Sequence, residues 1–361
     1  MSSLPLSTAT TPPIAPTMRA WLVSARGPPT TVLKLTTTLP TPSPKPTDLL
    51  IRISHAALNP GSTSLMLLIP QFLRAAPSIP EIDFAGTVVA VGSSAPSQFP
   101  IGARVFGCLH LKAMTAGKGV LADYIAVSSD EAGVAVLPES WSFEEGAGLA
   151  ACGITALNMC RAAGMQEGER VLVNGASGGV GTMAVQVARA MGAKEVVGVC
   201  SGRNVEMVKG LGADEVVDYQ AHHPVGEYLA ERYGDQPFDR IFDTVGVQAL
   251  YSKSPRYLKE DGVFINVGAY EGGWRFVLNG LRNLFLPRWL GGTPRKFIGL
   301  GVPSTNEHAA AIAKFAAEGK VKTVVDKVFD LEDVIEAYKL LGSMRARGKI
   351  IIRIQDSDKT K

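Results

Sequence analysis

Apolar positions fall into two regimes along the chain. From Met18 they form short runs broken by proline and glycine: Arg19 to Val23, Val32 to Leu35, Asp48 to Pro60, Asp83 to Gly92, Gly102 to Gly107, Tyr124 to Val127 and Val134 to Pro138. Such punctuation predicts an antiparallel, β-rich domain. Ser142, with Glu145 three residues on, then marks a capped helix start, and the helical stretch runs through Asn158. Beyond it apolar strands alternate with helical patterns: Arg170 to Asn174, Glu195 to Cys200, Glu215 to Tyr219, Phe238 to Gly246 and Gly262 to Gly268. Continuous apolar strands belong to a parallel sheet covered on both faces. Two helices are expected around 306–319 and 331–342, and a last strand, Gly348 to Ile354, returns to the β-rich domain. The fold class is therefore α/β. The expected divisions are a disordered tail over 1–17, the first part of the β-rich domain over 18–140, the α/β domain over 141–295, and its end with the return strand over 296–361.

Two apolar stretches do not fit this alternation. Ser64 to Leu73 is either a core helix or one wall of an apolar substrate pocket. Trp274 to Trp289, which carries Arg275, Arg282 and Arg288, reads either as a membrane-surface helix or as a helix beside the substrate cleft. Gly280, Pro287 and the Gly291-Gly292 pair interrupt it and favour the cleft.

The apolar run Arg170 to Asn174 ends in a glycine cluster, Gly175, Gly178, Gly179 and Gly181, and a helical pattern follows at once. Glycines there let a backbone approach a pyrophosphate, while the helix N-terminus offers unpaired N–H groups and a partial positive charge. The turn is one residue longer than G-x-G-x-x-G, and the glycines would equally serve a bare tight connection. The next strand weighs towards a nucleotide. It ends at Ser201-Gly202-Arg203-Asn204, with no acidic residue at the place, roughly 20 residues past the glycines, where NAD enzymes hold the ribose 2′-OH. Ser201 and Arg203 suit a 2′-phosphate, which indicates NADPH; the plain alternative for Arg203 is a solvated loop arginine.

Length and composition add bounds. The chain of 361 residues suits two domains, and its net charge of +3, with dispersed basic residues, gives no footprint for nucleic acid. Cys108, Cys152, Cys160 and Cys200 form neither a CxxC pair nor a disulfide spacing, which suits a reducing compartment. A cytoplasmic location is expected, with a mitochondrial one as the alternative. The first seventeen residues carry no charge, but Pro5, Pro12, Pro13 and Pro16 oppose an amphipathic presequence. No apolar run reaches the length of a membrane span, so no integral span is expected, and peripheral membrane contact stays open.

The run from Asn174 to Gly181, Val199 to Ser201, Leu211 to Tyr219, Phe238 to Gly246 and Arg347 to Ile350 together resemble the medium-chain dehydrogenase/reductase superfamily, over nearly the whole chain from Met18. Within it they look like the zinc-independent quinone reductases of the zeta-crystallin and reticulon-interacting types. The resemblance implies a GroES-like catalytic domain built from both chain ends with a Rossmann domain inserted, and a homodimer. It also implies that Ser177, Gly178, Gly179 and Val180 form the pyrophosphate turn and that Ser201, Arg203 and Asn204 hold the 2′-phosphate. Tyr219 would then lie beside the adenosine phosphate, Val267 and Gly268 at the nicotinamide strand end, Asn59 in the active site, and Thr155 facing the nicotinamide.

Departures from the family pattern matter as well. Asn59-Pro60-Gly61-Ser62 lacks the acidic residue of Asn-Pro-x-Asp, and no tyrosine or lysine follows as a proton donor. The stretch Pro80 to Gly86 has no histidine and Cys108 stands alone, so no zinc site is expected. His55 is read as a packed or solvent-facing histidine. Without a metal, the expected reaction is hydride transfer from NADPH to a lipophilic quinone or α,β-unsaturated carbonyl, with the Asn59 amide or a backbone N–H meeting the oxyanion. The alternatives are an enoyl-thioester reductase of fatty-acid or polyketide type and a non-catalytic NADPH-binding adaptor.

Overall fold

The computed structural model describes residues 13–128, 130–269, 271–299, 301 and 304–355. Residues 1–12 of the expected disordered tail lie outside the described residues. Strands β1 (Thr17–Val23) and β2 (Leu33–Pro40) form a two-stranded antiparallel sheet. Next come β3 (Leu49–Ala57), β4 (Asp83–Val91), β5 (Arg104–Leu109), β6 (Tyr124–Val127) and β7 (Ala132–Val136). The parallel strands are β8 (Arg170–Asn174), β9 (Glu195–Cys200), β10 (Glu215–Asp218), β11 (Phe238–Asp243), β12 (Leu258–Asn266) and β13 (Lys296–Gly299), and β14 (Val325–Asp330) and β15 (Lys349–Arg353) close the chain.

The second half forms a six-stranded parallel sheet in the order β10-β9-β8-β11-β12-β13. That is the doubly wound Rossmann arrangement, whose ligand crevice opens at the carboxyl ends of the strands where the order reverses. The reversal lies between β8 and β11. There Asn174 Nδ2 donates to Asp243 Oδ1 at 2.8 Å, tying the two strand ends together. The other sheet runs β14-β15-β3-β4-β5-β7, with β6 also paired to β3. Ile350, Ile351 and Ile352 are all buried because β15 lies inside this sheet with a core on either face. The chain end is thus built into the first domain, as its β-branched run requires.

The helix Phe143–Ala162 joins the two halves. Its predicted cap is present: Ser142 Oγ accepts from the Glu145 N–H and the Glu145 carboxylate accepts from the Ser142 N–H. Burial of Leu149, Ile154 and Cys160 places it in a core that also holds Phe106 from one domain and Val185 from the other. One continuous apolar cluster therefore fixes the domains relative to each other.

Three segments take forms that the sequence left unread or open. Strand β14, Val-Asp-Lys-Val-Phe-Asp, has no predicted counterpart; it is a half-exposed strand at the sheet edge, so its polar pattern does not read as a strand. The stretch Ser64 to Leu73 is mostly exposed, with Met66 in the core and Leu65, Met66 and Ile69 lining a small hollow. Helix Pro60–Leu68 buries only Ser62 and Met66, Leu67, Leu68, Phe72 and Leu73 are exposed, and the hollow behind Leu65 and Met66 measures about 10 Å³, room for little more than a water. Trp274 to Trp289 becomes helix Gly273–Phe285 and a short turn, Arg288–Leu290, with Val277, Leu278, Leu281, Leu284 and Phe285 turned outward.

Candidate active site

Asn59 lies two residues past β3 and caps the helix Pro60–Leu68, whose first position takes a proline because no N–H is needed there. Its side-chain oxygen accepts from the Lys349 ammonium at 2.9 Å. Its amide hydrogens are directed at Asp83 (3.1 Å), Glu81 (3.2 Å) and the Ala57 carbonyl (3.1 Å). Lys349 Nζ also donates to Asp83 Oδ2 at 3.1 Å and to the Leu58 carbonyl at 3.0 Å. The other Asp83 oxygen accepts from the Ala151 N–H of the long helix at 2.9 Å. Lys349 and Asp83 are 5% and 0% exposed, a buried ion pair whose hydrogen-bonding capacity is filled by the groups around it. Burial opposes the charge on Lys349, but Cys152, Asp83 and Glu81 outweigh it and hold its pKa above the ordinary lysine value.

Glu81 adds a second arm. It is fully buried at a φ of 70°, a left-handed conformation that few non-glycine residues adopt. Its carboxylate accepts from Tyr338 OH (2.6 Å), Ser62 Oγ (2.8 Å) and the Asn59 N–H (3.1 Å). Burial pushes its pKa up to about 7, against the opposing pull of Tyr338, Ser62, Lys349 and Asn59.

This cluster brings together residues that the sequence reading did not connect. The acids nearest Asn59 are Glu81 and Asp83. Tyr338 and Lys349 join them from the far end of the chain, Tyr338 donating to Glu81 and Lys349 to Asn59 and Asp83. Asn59, expected to meet an oxyanion through its amide, instead has that amide engaged within the protein. His55 is buried, shares a 3.0 Å contact with Ser54 Oγ, and is held down to about 4 by burial and Arg353.

The cofactor turn lies directly against this cluster. Gly175 has a φ of 78°, and a Cβ at Gly181 would overlap the Gly175 backbone, so both positions need glycine. Gly178 caps helix Gly179–Ala190 with no side-chain bond to the helix N–H groups. Those N–H groups are left for an anion. The Ser177 carbonyl accepts from the Gly348 N–H at 2.9 Å, and Gly178 and Gly348 form a parallel bridge. A Cβ at Gly179 would sit 3.0 Å from both Cys152 Sγ and Lys349 Cδ. Ser177, Gly178, Gly179 and Val180 are half-buried along this seam.

Ser201, Arg203 and Asn204 come together at the end of β9. Asn204 Nδ2 donates to Ser201 Oγ at 3.1 Å, while Asn204 Oδ1 is buried without a partner. Arg203 is exposed and donates to the Arg345 backbone carbonyl at 2.7 Å. The Asp218 carboxylate from β10 faces Gly202 and accepts from the Gln220 N–H, which sets an acidic group beside them. Tyr219 follows it, 44% exposed. The uncapped helix N-terminus beside the glycine turn fits the pyrophosphate of a dinucleotide.

Val267 and Gly268 follow β12, and Gly268 packs against Val245 and Gly246 just past β11. They line a cavity of about 370 Å³ at the carboxyl ends of β11 to β13, covered by helix Gly273–Phe285. Asn266 pins Gly268, accepting from its N–H at 3.0 Å and donating to its carbonyl at 3.1 Å. Thr155 is half-buried on the long helix, one turn beyond Cys152, and shares no described hydrogen bond with the other candidates.

Among the described residues no group of three or more His, Cys, Asp or Glu side chains is arranged to hold a metal ion. The positive charge that Asp83 faces is the Lys349 ammonium, so this donor set does not fit a zinc ion.

A GroES-like sheet, an inserted Rossmann sheet and a glycine turn between them define a two-domain nucleotide-dependent oxidoreductase. Residues 45–139 match the model for the alcohol dehydrogenase GroES-like domain and residues 211–352 that for zinc-binding dehydrogenase. The medium chain reductase pydE of an Acremonium species is 38% identical over 363 residues, covering 94% of this chain and 99% of its own. The trans-enoyl reductase poxH of Penicillium oxalicum is 33% identical, covering 94% and 98%. The quinone oxidoreductase structure from Coxiella burnetii superposes with a TM-score of 0.77 at 26% identity, covering 94% of this chain and all of that one. The chain belongs to the medium-chain dehydrogenase/reductase superfamily, in its quinone oxidoreductase-like branch. It is an oxidoreductase, and members of this family bind NAD(P).

Proposed function

We propose that the protein reduces a conjugated, lipophilic acceptor, a quinone or an α,β-unsaturated carbonyl, with NADPH. The observation that carries this reading is the buried Lys349 ammonium, hydrogen-bonded to Asn59 and Asp83 and packed against the pyrophosphate turn. Bound there, NADPH supplies hydride. The protein's part is to orient and to stabilise charge. Ser177 to Val180 and the helix N-terminus behind them hold the pyrophosphate; Ser201, Arg203 and Asn204 hold the 2′-phosphate. As negative charge develops on the acceptor oxygen, the fixed ammonium lowers its energy without any group having to move. All three described Lys349 bonds go to protein acceptors, so its part is electrostatic, and water delivers the final proton. Thr155, Val267 and Gly268 are assigned to the nicotinamide end on the family pattern.

A second reading, reduction of an enoyl thioester, is favoured by the trans-enoyl reductase among the relatives. NADPH oxidation measured against a naphthoquinone, a ubiquinone analogue, a medium-chain enal and a crotonyl thioester separates the two. Fast turnover of the thioester alone would replace the first reading with the second. In the same assay Arg203→Glu is expected to raise the KM for NADPH about tenfold or more while leaving NADH little changed, since one charge-assisted pair contributes roughly 1.5–3 kcal/mol. Equal losses with both cofactors would remove the 2′-phosphate assignment.

A further inference from the structure

Helix Gly273–Phe285 is amphipathic in the inverted sense. Its polar side faces the protein: Asn279 Nδ2 donates to Glu271 Oε2 at 2.5 Å, and Asn283 exchanges two hydrogen bonds with Gln248, at 2.7 and 2.9 Å. Its apolar side faces out. Leu278, Leu281, Leu284 and Phe285, spaced at three to four residues, are 50–73% exposed, and Trp289 in the following turn is 81% exposed. A surface helix ordinarily turns such a stripe inward. Charge on the same segment is one-sided. From Gly272 to Asn306 the sequence contains Arg275, Arg282, Arg288, Arg295 and Lys296 and no Asp or Glu. Arg275, Arg282, Arg288 and Lys296 are all exposed.

We propose that this face docks on a membrane surface bearing anionic lipid headgroups. An apolar stripe with a tryptophan, flanked by arginines and free of carboxylates, has the composition of a helix that lies in the headgroup layer. At 13 residues, about 20 Å, the helix is too short to cross a bilayer and lies along its surface. Charge also selects against the main competing occupant, a second copy of this chain. A two-fold contact through this face sets the same patch against itself and brings arginine onto arginine with no carboxylate from the segment between them. Docking leaves the 370 Å³ cavity on the helix's inner side about one helix diameter, roughly 10 Å, from the lipid.

The test is sedimentation of the full chain with phosphatidylcholine vesicles, with and without phosphatidylserine. Two variants accompany it: Phe285→Ser with Trp289→Ser, and Arg282→Glu with Arg288→Glu. All four side chains are exposed, so thermal melting and NADPH oxidation with a water-soluble acceptor should match the parent. Binding is expected only with phosphatidylserine, to weaken with salt, and to fall at least about fivefold in each variant. The proposal is overturned if the parent stays in the supernatant, if both vesicle types bind equally, or if neither variant weakens binding. It is also overturned if the parent is a dimer that the Phe285/Trp289 variant converts to monomer, which would assign the face to a second copy.

Discussion

Lys349 and Asp83 show how much one buried pair can carry. Lys349→Met leaves the Asp83 carboxylate, 0% exposed, without its cation, and the expected loss is about 3–5 kcal/mol in urea unfolding. Removing both charges, with Lys349→Met and Asp83→Asn together, should cost less than the sum of the single losses by more than about 1 kcal/mol; strict additivity would mean that the two do not interact. Glu81 gives a pH signature. Its folded pKa of about 7 lies above its ordinary 4.5, so the folded chain binds this proton more tightly than the unfolded chain. Its contribution to stability is complete below about pH 4.5 and is lost as the pH rises through about 7. Glu81→Gln should flatten stability between those limits, and an unchanged slope would exclude Glu81 as its source.

At the scale of elements, the glycine turn separates shape from chemistry. A Cβ at Gly178 would lie 3.5 Å from the Gly175 carbonyl, an ordinary contact at an extended backbone, whereas one at Gly181 overlaps that carbonyl. Gly178→Ala should therefore melt within a few degrees of the parent and lose NADPH affinity. Gly181→Ala should lose stability whether or not cofactor is present, and thermal melts with and without NADPH distinguish the two. Elements of this kind were readable in advance because their signals are local: Ser142 three residues before Glu145, or an apolar run followed by glycines. Strand β14 was not, since its polar residues sit at a sheet edge. The long-range members of the site were hidden for a different reason. Lys349 precedes an isoleucine run and reads as a charge at a strand end, and its partners Asn59 and Asp83 are specified only by the folded sheet. Asn59 could be singled out, but not the fact that its amide is already engaged.

At the scale of the molecule, the segment Arg345 to Lys349 touches each part of the groove in turn. Arg345 receives Arg203, Gly348 is paired with Ser177 and Gly178, and Lys349 holds Asn59 and Asp83. It also leads into β15, an interior strand of the catalytic sheet. On the proposed placement of the coenzyme, the two domains are stitched along the line where it would lie, so that loading it and setting the charges around Lys349 are coupled. On the proposed reading an order is then expected: coenzyme enters first and leaves last, with the acceptor coming and going in between. Steady-state inhibition reads this out: NADP⁺ should compete with NADPH, and an unreactive acceptor analogue should be uncompetitive against it. A competitive pattern for that analogue would mean that the two substrates enter independently.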